Sequence, residues 1–182
     1  MTLSQLLRDY TTEDRGQLNE LQRFRALLES AGHAAFDRTH FVPGHITASC
    51  WIVDTEGDAC LLTHHRKLDR WLQLGGHCDG NPDVVAAAMR EAEEESGLTG
   101  FTLTHAGIYD LDIHEIPARK SAPAHLHYDV RFALRAPDAG DLIISEESHD
   151  LAWVRIQSLT EYTEEESVLR LARKWNALRA ST

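Results

Sequence analysis

Three carboxylates stand at helical spacing near the middle of the sequence. Glu91, Glu94 and Glu95 occupy positions i, i+3 and i+4 of the run Arg90-Glu91-Ala92-Glu93-Glu94-Glu95-Ser96-Gly97-Leu98, so on a helix all three project from one side. Like charges at this spacing repel one another. A divalent cation relieves that repulsion, and hard carboxylate oxygens around an octahedral centre suit Mg²⁺ or Mn²⁺. The plainer reading is a solvated acidic helix face, partly neutralised by Arg90, which can pair with Glu94 one turn on. The loop in front of the cluster favours chemistry. Gly75-Gly76-His77-Cys78-Asp79-Gly80-Asn81-Pro82 is rich in glycine, and such a loop can bring backbone carbonyls and amides against a metal–phosphate assembly.

The elements that position these groups follow from periodicity. A helix is predicted over Pro82–Ser96, with Asn81 as its N-cap, Pro82 at the first helical position and Gly97 as its C′ residue. Val85, Ala88, Met89, Ala92 and Ser96 form a small-residue stripe that can lie close against a sheet. Upstream, Thr12–Ala31 reads as an amphipathic helix with Leu18, Leu21, Phe24, Leu27 and Leu28 on its apolar side and Gly32 as its stop. From His45 the period changes to two. Ile46, Ala48, Cys50 and Ile52 alternate with Thr47, Ser49, Trp51 and Val53, and Asp54–Asp58 turns the chain into a strand over Ala59–Thr63. Strands are also predicted at Phe101–His105, Gly107–His114, His125–Leu134 and Leu151–Arg155, and a helix at Glu164–Leu178. The stretch from Glu115 to Ala124, with two prolines, reads as a loop. The order of elements implies an α/β domain, a mixed sheet with helices packed on it. Residues 1–182 are expected to form one domain, with a helical extension over residues 1–40.

The glycine loop and the helix after it resemble the Nudix box: Gly, five residues, Glu, seven residues, Arg-Glu, apolar, any, Glu-Glu, any, Gly, apolar. Gly76, Arg90, Glu91, Ala92, Glu94, Glu95, Gly97 and Leu98 match in register. One position departs, because Pro82 stands where the pattern has its first Glu. Trp71-Leu72-Gln73-Leu74-Gly75-Gly76 resembles the family's run into the box. The resemblance implies an α/β/α sandwich and a Mg²⁺- or Mn²⁺-dependent hydrolase that cleaves a diphosphate linkage in a nucleoside diphosphate derivative or similar small molecule. It further implies that Glu91, Glu94 and Glu95 hold metal, that the carbonyl of Gly75 or Gly76 adds a ligand, and that Arg90 orients a box carboxylate. Family members often add an acidic residue shortly before a strand-starting Trp. In Ser145-Glu146-Glu147-Ser148-His149-Asp150-Leu151-Ala152-Trp153 the resemblance favours Glu147 over Glu146. Either Glu91 or Glu147 is then the general base.

Weaker signals surround this core. His125, His127, Asp129 and Arg131 alternate with Leu126, Tyr128, Val130 and Phe132, a polar row on one strand face. Either that face meets water, or its imidazoles line a substrate cleft. His64-His65-Arg66-Lys67-Leu68-Asp69-Arg70 is the main local cationic cluster, from which Arg66, Lys67 or Arg70 can reach substrate; His77 in the box loop is a further substrate candidate. Cys78 is not expected to be a nucleophile, since diphosphate hydrolysis on metals needs none. Two alternatives stand beside hydrolysis. One is a catalytically inactive Nudix domain that senses a nucleotide metabolite, for which lost box carboxylates or an added DNA-binding module are expected. The other is an isopentenyl-diphosphate isomerase-like enzyme, whose usual cysteine setting is not recognisable.

With 18 Lys and Arg against 29 Asp and Glu, the net charge of −11 weighs against stable nucleic-acid binding, since no cationic surface replaces counterions on phosphates. Cys50, Cys60 and Cys78 are odd in number and lack CxxC spacing, which argues against a disulfide framework or a structural zinc site. No apolar run is long enough to span a bilayer, and Met1–Tyr10 has no apolar core of a signal peptide. A cytoplasmic location, a small-molecule diphosphate as partner, no membrane, and a monomer or homodimer are the expectations.

Overall fold

The computed structural model describes residues 1–138 and 140–180. The elements in chain order are α1 (Leu3–Asp9), α2 (Arg15–Ala31), a 3-10 turn (Gly32–Phe36), β1 (Gly44–Val53), β2 (Ala59–His65), β3 (Arg70–Leu72), β4 (Leu74–His77) and α3 (Val84–Ser96). They continue with β5 (Thr102–Leu103), β6 (Asp110–Ile116), β7 (His125–Arg135), β8 (Ser148–Arg155), a second 3-10 turn (Ile156–Glu161) and α4 (Glu166–Ala180). The strands pair in the order β3-β2-β1-β7-β5, with β4 on β1, β6 on β7 and β8 on β2. This is the α/β class with a mixed sheet, helices and an N-terminal helical segment that the sequence predicts. Among the described residues no helix is long and apolar enough to cross a membrane.

The chain separates into two compact units. Unit 1 comprises Met1–Ser49, Gly75–Arg90 and His105–Phe132. In it α2 starts where the Asp14 carboxylate accepts the Gln17 N–H at 3.0 Å, an N-cap that satisfies one of the helix's orphan donors. The buried side of α2 is Gln17, Leu21, Phe24 and Leu27; Leu21, Phe24 and Leu27 are as predicted, whereas Leu18 lies exposed and Leu28 half-buried. A polar residue takes the inward place because the interior offers it partners. Gln17 Nε2 donates to the Leu111 carbonyl at 2.6 Å, and the Tyr10 hydroxyl donates to Gln17 Oε1 at 2.5 Å. Phe24 meets Tyr128 edge-on at 5.3 Å between ring centroids, a preferred aromatic geometry. The short helix α1 was not visible in the periodicity, yet Leu3, Leu6 and Leu7 are buried and Thr2 closes a capping box with Gln5.

Unit 2 comprises Cys50–Leu74, Glu91–Thr104 and Ala133–Thr182. Its β2 and β8 pair antiparallel from Ala59↔Arg155 to His65↔Ser148. Helix α4 buries Val168, Leu171, Ala172 and Trp175, as its periodicity predicts. The Trp175 indole N–H donates to the Gly57 carbonyl at 2.8 Å, and Arg179 Nη1 donates to the same oxygen at 2.8 Å. The glycine of that turn has φ 76°, a conformation that L side chains rarely adopt. The strand predicted over Phe101–His105 shrinks to Thr102–Leu103, paired with Arg135 and Leu134 of β7.

Candidate functional site

The box helix begins later than the sequence suggests. Asp83, not Asn81, is its cap: Asp83 Oδ1 accepts the Ala86 N–H at 3.1 Å, while Asn81 Oδ1 accepts the Asp83 N–H at 3.0 Å. Two successive carbonyl-bearing side chains compete for the role, and Asn81 closes a turn around Pro82 instead. Gly97 ends the helix as expected, with φ 75° and its N–H donating to Glu93 O at 2.9 Å. The buried stripe is Val84, Ala87, Ala88, Ala92 and Ser96; Ala88, Ala92 and Ser96 are as predicted, while Val84 and Ala87 take inward places and Val85 and Met89 are half-buried.

On α3, Glu94 is exposed, Glu91 is half-buried and Glu95 is only 7% exposed. Burying a carboxylate as deep as Glu95 is costly unless it is hydrogen-bonded or paired with positive charge. The donor set is entirely hard oxygen at i, i+3 and i+4, and so fits Mg²⁺ or Mn²⁺. Arg90 Nη2 donates to the His77 carbonyl at 2.8 Å, which fixes the strand end from which the box loop departs. Gly75 is obligatory on packing grounds, because an added Cβ would lie 2.2 Å from Ser49 Cβ, so only glycine lets β4 approach β1 this closely.

The box loop is also held from the N-terminal segment. The Gly80 N–H donates to Phe36 O at 2.8 Å, and Arg38 Nη1 lies 3.6 Å from Asp79 Oδ1. Asp79 has φ 49° and Gly80 φ 83°, consecutive left-handed residues at which a tether to the chain outside the loop fixes its path.

The polar row of β7 is not a solvated face. Register places Arg131 opposite Asp110, Asp129 opposite Asp112 and His127 opposite His114 on β6, and His125, Asp129 and Arg131 are all buried. Arg131 is 1% exposed; its Nε lies 2.8 Å from Asp129 Oδ2, Nη2 3.1 Å from Asp112 Oδ2 and Nη1 3.4 Å from Asp110 Oδ2. Burial opposes the guanidinium charge, but the carboxylates of Asp129, Asp112 and Asp110 outweigh it and hold the pKa above the usual value. Thr47 Oγ1 and Ser49 Oγ donate to the two oxygens of Asp129 at 3.0 and 2.7 Å.

At the other end of this layer the candidate residues His77, His125 and His127 come together with a residue not singled out from sequence, His45. Ring centroids of His45 lie 4.7 Å from His127, 5.0 Å from His125 and 5.2 Å from His77, and those of His77 and His127 are 5.2 Å apart. Burial, reinforced by neighbouring imidazoles, pushes His45 down to about 4 and His127 down to about 2. A signal for His45 was present: it shares period two with Thr47 and Ser49, the same polar alternation that marks β7.

The remaining candidates lie in unit 2. Glu146 and Glu147 are exposed, and the Glu147 carbonyl accepts the Arg66 N–H at 2.9 Å. Arg66 Nη2 donates to Ser148 O at 2.8 Å, and Arg70 Nη1 pairs with Glu165 Oε1 at 2.6 Å, so both of these cations have protein partners. Lys67 is exposed. Cys78, in unit 1, is buried.

Comparison with known proteins follows the same lines. A C. elegans Ap4A hydrolase in a binary complex superposes with TM-score 0.61 at 20% identity, covering 75% of this chain and 98% of that one. A NUDIX-family hydrolase from Clostridium perfringens gives 0.56 at 26% identity, over 74% and 97%. The E. coli dihydroneopterin triphosphate pyrophosphohydrolase gives 0.54 at 17%, over 71% and 92%. No curated protein matches the chain by sequence. The sequence model of the NUDIX domain matches residues 43–174, well over half of the chain and all of the box, and the chain therefore belongs to the Nudix family of pyrophosphohydrolases.

Proposed function

We propose that this protein hydrolyses a diphosphate linkage in a nucleoside diphosphate derivative or similar small molecule, with Mg²⁺ or Mn²⁺ held by Glu91, Glu94 and Glu95 and the carbonyl of Gly75. The observation that carries the reading is the complete Arg90-Glu91…Glu94-Glu95 set on α3, with Glu95 drawn into the interior. A chain that had kept only the fold for metabolite sensing would have no use for that costly cluster of carboxylates. When bound, the cation supplies charge neutralisation on phosphate oxygens and acidifies a water. Glu91 or Glu147 accepts the water's proton. Arg90, by holding the His77 carbonyl, keeps the glycine loop at a fixed height above the helix start. Arg66, Lys67 and Arg70 offer cationic contacts to substrate, and His77, His125 and His127 offer imidazole ones. The net charge of −11 favours a small-molecule partner over nucleic acid, in a cytoplasmic monomer or homodimer.

The test is a panel of nucleoside triphosphates, nucleotide sugars, dinucleotides and coenzyme diphosphates with Mg²⁺ and with Mn²⁺. Phosphate is assayed before and after added phosphatase. Turnover of at least one diphosphate is expected, with Glu94→Gln lowering it by orders of magnitude. Inactivity on every member, combined with tight binding of one, would overturn hydrolysis in favour of sensing.

A further inference from the structure

The layer of histidines in unit 1 has more chemistry in it than substrate contact requires. His45 from β1, His77 from the end of β4 and His127 from β7 each present a ring nitrogen, and these three atoms lie within 4.8 Å of one another. No carboxylate or thiolate belongs to the trio. Imidazole nitrogen is a ligand for Zn²⁺ and its first-row neighbours, whereas Mg²⁺ prefers oxygen. For Zn–N bonds of about 2.0–2.1 Å, tetrahedral ligands stand about 3.3–3.4 Å apart, a separation that small side-chain rotations reach from the present one.

A second observation points to a ligand independently. His45 is 1% exposed, and its Nε2 has no hydrogen-bond partner among the described residues. Its Nδ1 lies 3.3 Å from the His40 carbonyl; a carbonyl only accepts, so Nδ1 carries the proton and Nε2 presents its lone pair. That is the arrangement in which a metal-binding histidine is normally oriented, one nitrogen held by a backbone carbonyl and the other turned to the ion. A buried nitrogen lone pair left unmatched is costly, and a cation at the centre of the trio is the partner that removes this cost for His45 Nε2.

We propose that His45, His77 and His127 form a site for a first-row transition-metal dication of the Zn²⁺ class, joining β1, β4 and β7 and leaving one coordination position for water or another small ligand. The site is chemically distinct from the carboxylate set on α3 and does not depend on it. Because His77 is the last residue of β4, the ion would pin the point at which the box loop leaves the sheet.

The metal-stripped full chain is titrated with Co²⁺ as a spectroscopic stand-in and with Zn²⁺. One equivalent of Co²⁺ should produce visible d–d bands that Zn²⁺ displaces and excess Mg²⁺ does not. His77→Gln, at a half-buried position, should abolish the bands and weaken Zn²⁺ by more than about 100-fold, the upper end of what losing even an outer partner costs, with the far-ultraviolet CD spectrum unchanged. Glu95→Gln should leave the bands in place. Since His45→Asn can compromise folding, zinc-edge X-ray absorption of the unaltered protein supplies the second readout, with three imidazoles expected around the ion. An oxygen-dominated shell, failure to bind Co²⁺ or Zn²⁺, or bands that survive His77→Gln but vanish in Glu95→Gln would each overturn the proposal. None of these results depends on turnover, so loss of this site and loss of the hydrolase reading are separable.

Discussion

Replacing Arg131 by Met tests whether the buried charge layer is held together by its single guanidinium. Arg131 lies within 3.4 Å of carboxylate oxygens from Asp110, Asp112 and Asp129, and all four residues are buried. Met preserves much of the side-chain length and apolar stem but removes the charge. Removing one partner of a buried ion pair costs about 3–5 kcal/mol, because the other charge is left uncompensated. Three buried carboxylates losing one shared cation argue for the upper end. The Thr47 and Ser49 hydroxyls on Asp129, His114 beside Asp112 and protonation of one or two of the aspartates set the limit. With a urea m-value of about 2 kcal/mol/M, the denaturation midpoint should fall by about 1.5–2.5 M, a large share of the roughly 5–15 kcal/mol that stabilises a typical domain. The deficit should shrink as pH is lowered, because protonated aspartates no longer need the guanidinium. Asp112→Asn, which leaves Arg131 two carboxylates, should cost far less. A midpoint within about 0.5 M of the parent at neutral pH, with m unchanged, would refute the reasoning and show the layer to be neutralised by other means.

Glu147→Gln should reduce kcat strongly with little change in stability, while Glu146→Gln is nearly silent; equal, minor effects would remove this loop from the mechanism and leave Glu91 as the base. Gly75→Ala should lower Tm by roughly 2–12 °C, from an overpacking cost of about 1–3 kcal/mol in a chain of this size, since its Cβ would fall 2.2 Å from Ser49 Cβ; an unchanged Tm means that β4 can shift freely. For the metal-free protein, His45 and His127 have folded pKa values near 4 and 2 against 6.5 unfolded. The unfolded chain therefore binds more protons below pH 6.5, so their stability contribution is complete above that pH and is lost progressively as pH falls through 6.5 towards 4 and lower. Tm should be flat from pH 8 to 7 and already falling between pH 6.5 and 5, before most carboxylates titrate. A flat profile down to pH 5 would contradict the burial of these rings.

The parts of the fold that were legible in the sequence are those written in apolar periodicity. The β1–β2 hairpin, β7, α4 and the body of α2 lie where hydrophobic spacing puts them, because their burial is driven by hydrocarbon. What escaped was written in polar residues. Gln17 holds an interior position that apolar periodicity does not mark, because Leu111 and Tyr10 satisfy its amide. The row His125, His127, Asp129 and Arg131 carries an alternation that a wet strand would also show, and only the facing Asp110 and Asp112 reveal that it is buried. Strands β3 and β4 lacked any readable period, since a short run interrupted by two glycines has too few side chains to display one. The box itself could be read because its spacing is fixed by chemistry on a single helix. The histidine group could not, because its members are separated by dozens of residues and meet only through strand pairing.

The tether on the box loop bears on how portable this module is. The stretch that aligns with the family begins at residue 43, yet Phe36 and Arg38, which grip Gly80 and Asp79, lie before it. Where the family's pattern has a glutamate, this chain has Pro82, and the box loop is fastened from a preceding segment. Grafting residues 43–174 alone into a chimera would therefore carry the carboxylates across without the restraint that shapes the loop leading to them. A boundary drawn by similarity encloses the chemistry here but excludes part of its scaffolding, and a functional transplant must begin upstream of Phe36.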